Sequence, residues 1–201
     1  MTTQEKLGIL QQLFLKGAFV KDAAQGYIVA KQFNLTIDPQ ILSIASQCWA
    51  EQYRSEKGID AIVGLPDAGA RLVPLLATML HIPQILPSKR SVITPGAWEN
   101  VVSFSNASFT TGLQAVASHI GFVEKGMRVL VIDDVIAHGN TAIAAIKALQ
   151  KAGVEVVGMQ VLFEKVWQGG SELIKKETGI TPFSLIRIQE IQPNSTIILA
   201  E

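Results

Sequence analysis

Residues 129–153 read VLVIDDVIAHGNTAIAAIKALQKAG. The unbroken apolar run Val129–Ile132 predicts a strand buried on both faces. Two carboxylates, Asp133 and Asp134, follow at once. A loop of small and polar residues, Ala137-His138-Gly139-Asn140-Thr141, then leads into a helical pattern carried by Ile143, Ile146 and Leu149. Gly153 closes that helix as a C′ residue. A helix N-terminus reached through such a loop offers unpaired backbone N–H groups and the positive end of the dipole, which suits a phosphate. The acids beside it suit sugar hydroxyls or a phosphate-bound magnesium ion.

Bulk composition narrows what the rest can be. The chain has 201 residues, enough for one domain with a sizeable core. Lys plus Arg number 17, as do Asp plus Glu, so a zero formal charge gives no electrostatic case for nucleic acid. The single cysteine, Cys48, rules out an intramolecular disulfide framework and falls on an apolar helix face, where it reads as a small core residue. No stretch approaches a membrane span and no secretory leader opens the chain, so a cytoplasmic protein is expected.

Outward from the opening stretch, the chain alternates strands and helices. Leu7, Leu10, Leu13 and Phe14 recur at helical spacing within residues 4–15. Phe19-Val20 and Tyr27-Ile28-Val29 read as short strands around a Gln25-Gly26 turn, and residues 1 to about 36 form a small hood. Asp38-Pro39 starts a helix as N-cap and first residue, with Ile41, Ile44, Ala45, Cys48 and Trp49 on its buried face. Ala61–Leu65 is a second buried strand, Pro66-Asp67-Ala68-Gly69 its turn, about Ala70–Leu80 a helix and Gln84–Leu86 a strand. An irregular stretch from Ser88 to about Asn100 precedes alternation over Val101–Phe109, an antiparallel ribbon. Two strand–helix–strand units, the second ending in Val154–Phe163, imply an α/β fold with a mostly parallel central sheet flanked by helices. In such sheets ligands sit beyond the carboxyl ends of the strands, so the turns at 66–69, 133–141 and 164–170 should share one edge.

VLVIDDVIAHGNTA resembles the phosphoribosyl-pyrophosphate (PRPP) signature of the type I phosphoribosyltransferases. The similarity extends over most of the chain and is greatest to the xanthine phosphoribosyltransferases. It is carried by the hood through Phe33-Asn34, the Asp38-Pro39 helix start, Lys89-Arg90, the ribbon VVSFSNASF and Glu164-Lys165-Val166-Trp167. The resemblance implies the type I phosphoribosyltransferase fold with an N-terminal hood, a single domain over 1–201, and transfer of ribose 5-phosphate from PRPP to a purine with release of pyrophosphate. Asp133 and Asp134 would hold the ribose hydroxyls. Ala137, His138, Gly139, Asn140 and Thr141 would cradle the 5-phosphate; His138 could equally face solvent. Asn140 stands where the family's loop has glycine, and asparagine tolerates a positive φ. Asp67, Ala68, Gly69, Lys89 and Arg90 would serve pyrophosphate, with Mg2+ between it and the acid. Tyr27, Asn34, Lys165 and Trp167 would meet the base, Lys165 and Asn34 as donors to its oxygens and Trp167 as a stacking face. A homodimer is implied as well.

Two readings of different class remain. Xanthine or another 6-oxopurine is the expected base, with adenine as the alternative. Purine repressors use the same fold and acid pair as a PRPP-sensing module attached to a DNA-binding domain. The balanced charge and the lack of room ahead of the hood make an enzyme the expectation. A dinucleotide enzyme is a poor reading, because no GxGxxG follows any strand.

Overall fold

The computed structural model describes residues 1–31, 36–53, 58–66, 68–88, 100–107 and 115–200. Helix α1 spans Thr3–Gly17, opened by a capping box between Thr2 and Glu5. Strands β1 (Ala18–Asp22) and β2 (Tyr27–Ala30) pair antiparallel as a separate hairpin. Helix α2 (Pro39–Tyr53) begins as expected: the Asp38 Oδ1 accepts from the backbone N–H of Gln40 at 2.8 Å and of Ile41 at 3.2 Å.

The chain then builds the sheet: β3 (Ala61–Gly64), α3 (Ala68–Leu80) and β4 (Gln84–Ile85). Strands β5 (Val102–Ala107) and β6 (Ala115–Ile120) form the antiparallel ribbon. Next come β7 (Arg128–Ile136), α4 (Asn140–Lys151), β8 (Glu155–Lys165), a 3-10 turn at Val166–Gln168, α5 (Gly170–Thr178), β9 (Pro182–Ile191) and β10 (Ile197–Leu199). The six-stranded sheet has the order β10-β9-β8-β7-β3-β4 and is parallel except for β10.

This order contains a reversal. From β3 the chain crosses outward to β4, and from β7 it crosses the other way through β8 to β9. The two directions diverge between β3 and β7, where crossover helices leave a crevice beyond the carboxyl ends. Both sheet faces are covered. Leu130 and Ile132 of β7 enter one core with Leu10, Phe14, Trp49 and Leu72 from α1, α2 and α3. Val129 and Val131 enter the other with Ala145, Ile146 and Ile174 from α4 and α5, and Phe104 of the ribbon. The period-2 alternation of a strand thus divides one apolar run between two cores.

Several boundaries differ from the sequence reading. The strand expected to end at Ile132 continues through both acids, because Asp133, Val135 and Ile136 stay paired with Val161, Phe163 and Glu164 of β8. Helix α3 starts at Ala68 rather than near Ala70. Residues 171–190, which the sequence reading leaves unassigned, supply most of α5 and of a long strand, β9, whose Leu185, Ile186 and Ile188 are buried.

Candidate active site

Asp133 and Asp134 occupy the carboxyl-end portion of β7, beside the reversal between β3 and β7. Asp133 is buried at 7% exposure, and its Oδ1 accepts from the Asp134 backbone N–H at 2.9 Å. Burial and then the Asp134 charge push the Asp133 carboxyl well above the ordinary carboxylate range. The first turn of α3 closes on it: a Cβ at Gly69 would stand 2.8 Å from the Ile132 carbonyl oxygen and 2.9 Å from Asp133 Oδ1. Only glycine lets that helix end approach the acids so closely.

The loop Ala137–Gly139 connects β7 to α4, which begins at Asn140 with Thr141 in its first turn. The left-handed conformation falls on Gly139, φ 79°, the N-cap. Asn140 is the first helical residue and uses no positive φ, so the tolerance expected of asparagine is not called upon. Gly139 has no side chain to cap the helix, and the first-turn N–H groups face the loop. His138 and Asn140 are both exposed.

Lys165 ends β8, beside β7. Burial pulls its ammonium below the ordinary lysine range, and the Asp134 carboxylate acts in the opposite direction. Trp167 follows in the 3-10 turn, 41% exposed. Tyr27 begins β2 at 37% exposure, with Lys21 Nζ 5.1 Å from its ring centroid. Asn34, Asp67, Lys89 and Arg90 lie outside the described residues. The described members of the three turns nevertheless share one edge, as expected from parallel β3, β7 and β8. A cleft of about 220 Å³ opens there among Ala23, Trp167, Glu190 and Ile191. A larger cavity, about 470 Å³, is lined by Asp60, Ala61, Gln84 and Phe122 at the amino end of β3, on the opposite sheet edge from the acids.

Residues 33–183 match the family model for the phosphoribosyl transferase domain. The chain belongs to the phosphoribosyltransferase family. Among curated proteins it is similar to xanthine phosphoribosyltransferase of Bacillus licheniformis, 29% identical over 189 residues covering 90% of this chain and 95% of that one. The xanthine phosphoribosyltransferase of Streptococcus pyogenes serotype M5 is 31% identical over 157 residues, 78% and 79% of the two chains. Among solved structures, adenine phosphoribosyltransferase of Rhodothermus marinus superposes with a TM-score of 0.70 at 22% identity, covering 92% of this chain and 99% of that one. The Trypanosoma brucei enzyme in complex with AMP, pyrophosphate and ribose-5-phosphate gives 0.74 at 18% identity, covering 92% and 82%. These two superpositions establish the type I phosphoribosyltransferase fold.

In this phosphoribosyltransferase the sequence reading missed the glycines that assemble the edge. A Cβ at Gly170 would meet the Ala137 carbonyl oxygen at 2.2 Å, so the segment carrying Trp167 is packed directly onto the loop before α4. Gly26, read only as a turn residue, abuts Trp167. The Gly169-Gly170 pair after Trp167 was the available signal, but a close approach between distant segments leaves no spacing pattern.

Proposed function

We propose that this enzyme is a purine phosphoribosyltransferase, with xanthine or another 6-oxopurine as acceptor. The observation that carries the reading is the meeting, at one sheet edge, of the Asp133–Asp134 pair, the uncapped α4 N-terminus and Lys165. The names of its xanthine phosphoribosyltransferase relatives support the choice of base. The structural similarity to adenine enzymes speaks to the fold alone.

In this reading the first-turn N–H groups of α4, from Asn140 onward, hold the 5-phosphate with Thr141, at the positive end of the helix dipole. The acid pair receives the ribose 2- and 3-hydroxyls. Asp133 and Asp134 accept from these two hydroxyls. As the bond from ribose C1 to pyrophosphate breaks, its electron pair leaves with pyrophosphate and positive charge grows on the sugar. Asp134 is then a fixed anion beside it, needing no reorganisation. The α3 N-terminus at Ala68-Gly69 receives the leaving pyrophosphate, with Lys89 and Arg90 as counter-charges. A purine ring nitrogen attacks C1 with its electron pair, and the proton it carried passes to solvent or to the released pyrophosphate. Lys165 donates to a base oxygen, and Trp167 offers the flat face.

Mg2+ fits this donor set. Among the described residues no three His, Cys, Asp or Glu side chains cluster around a cation position. The ion would take one or two oxygens from Asp133, Asp134 or Asp67 and the rest from PRPP, its usual mode beside phosphates. Bound there, it would supply positive charge to pyrophosphate.

The test is pyrophosphate release from PRPP and Mg2+ with xanthine, guanine, hypoxanthine, adenine and orotate in turn. Xanthine or another 6-oxopurine should give the highest kcat/KM. Preference for adenine would overturn the choice of base. PRPP binding without release for any base would point to a sensor.

A further inference from the structure

We infer that Gly26 is a positioning residue of the base site: the hood turn is seated on Trp167 through this glycine, and the seat fixes the aromatic face offered to the base. The inference rests on the reading that Trp167 stacks on the purine.

Gly26 lies between β1 and β2 with φ 65°, and its N–H donates to the Ala23 carbonyl at 3.2 Å. The turn is tied internally: the Gln25 backbone N–H donates to Asp22 Oδ1 at 3.0 Å, and Lys21 stands over the Tyr27 ring. It therefore approaches its neighbour as one piece. A Cβ at Gly26 would lie 2.8 Å from Trp167 Cζ2, 3.6 Å from Cε2 and 3.4 Å from Gln168 Nε2. The bare backbone thus rests against the benzo edge of the indole. Gln168 continues the same 3-10 turn, and its Oε1 is buried with no hydrogen-bond partner among the described residues. Packing against the hood, rather than a hydrogen bond accepted by Oε1, holds that amide. With 41% of Trp167 still exposed, the ring is steadied on one side and open on another. It stands two residues beyond Lys165, so a tilt of the indole would misalign stacking with the lysine's donor.

Glycine is required here twice over, for its positive φ and for the contact. The two causes separate experimentally, because Gly179 has φ 77° with nothing among the described residues within 4 Å of a Cβ. Gly26→Ala should raise the base KM about tenfold, the effect of an overpacked contact lifting the hood, and leave the PRPP KM unchanged. Gly179→Ala should alter neither. In a Trp167→Leu background, where the indole edge is gone, Gly26→Ala should have no further effect on base KM. A readout without turnover runs in parallel. Acrylamide quenching of tryptophan fluorescence should increase in Gly26→Ala relative to wild type, and this increase should vanish in the Trp167→Leu background.

An unchanged base KM, equal rises in both KM values, or a full additional effect without Trp167 would overturn the seat. If Gly26→Ala does not fold, Gln168→Ala removes the neighbouring contact and should give the same KM split. Should wild type release no pyrophosphate with any base, the functional reading falls. The quenching comparison then decides the seat alone: no increase refutes it.

Discussion

Burial and the neighbouring charge of Asp134 raise the Asp133 carboxyl, and this has a consequence for stability. An unfolded aspartate ionises near about pH 3.9, whereas folded Asp133 holds its proton to higher pH. Between those values the unfolded chain loses the proton first, so stability falls as pH rises and stays lower above the window. Asp133→Asn retains an acceptor for the Asp134 N–H and has no proton to lose. Its thermal midpoint should exceed wild type at pH 7, by about 2–4 °C for each kcal/mol relieved, and the gain should disappear below about pH 4. The same gain at pH 3 and pH 7 would show that titration is not its source. Asp134→Asn should lower kcat on the order of 10²-fold while far-ultraviolet circular dichroism stays unchanged, because it removes the anion beside the developing positive charge. Wild-type turnover would end that assignment. Lys165→Ala removes a charged donor and should raise base KM by about 10–100-fold with PRPP KM little changed. If base KM holds steady, the base is gripped elsewhere.

At the scale of elements, the geometry depends on how α3 meets β7. Methyl addition in Gly69→Ala brings Cβ against backbone, the Ile132 oxygen and the Asp133 Cα, neither of which can rotate away. The helix end must retreat, at a cost of about 1–3 kcal/mol. Under the proposed function, in which the displaced element receives pyrophosphate, steady-state kinetics should show PRPP KM rising while base KM changes less. A rise confined to the base would place Ala68-Gly69 in a different half of the site. The sequence located this turn through its small residues, and it located the α4 N-terminus through the loop after the acids. It could not give the termination of β7. Asp has low strand propensity, so the run was expected to stop at Ile132; pairing with β8 carries it on to Ile136. Nor could the glycine at 139 be distinguished from Asn140 as the residue holding the positive φ, because both types adopt it.

For the whole molecule, β7 is the shared wall of two cores, and its stability is separable from its chemistry. Leu130, fully buried and facing the α1–α3 side, touches no proposed ligand. Leu130→Ala should cost about 2–5 kcal/mol, read by denaturant unfolding, with both KM values preserved at temperatures where the variant stays folded. Altered PRPP KM under those conditions would mean that the core transmits directly to the site. The sequence by itself determined the α/β class, the helix opened by Asp38 and the succession of paired acids, small-residue loop and helix start over residues 133–141. These are local properties, encoded in hydrophobic period, capping residues and adjacent side chains. Only the tertiary structure decided which way each crossover turned, that β9 and β10 complete the sheet, and that Gly26, Gly69 and Gly170 bring the hood, α3 and the Trp167 segment together. Those are contacts between segments far apart in the chain, where the deciding atom is a Cβ that is absent. The two acids found first in the sequence became a candidate site only when the reversal between β3 and β7 opened a crevice beside them.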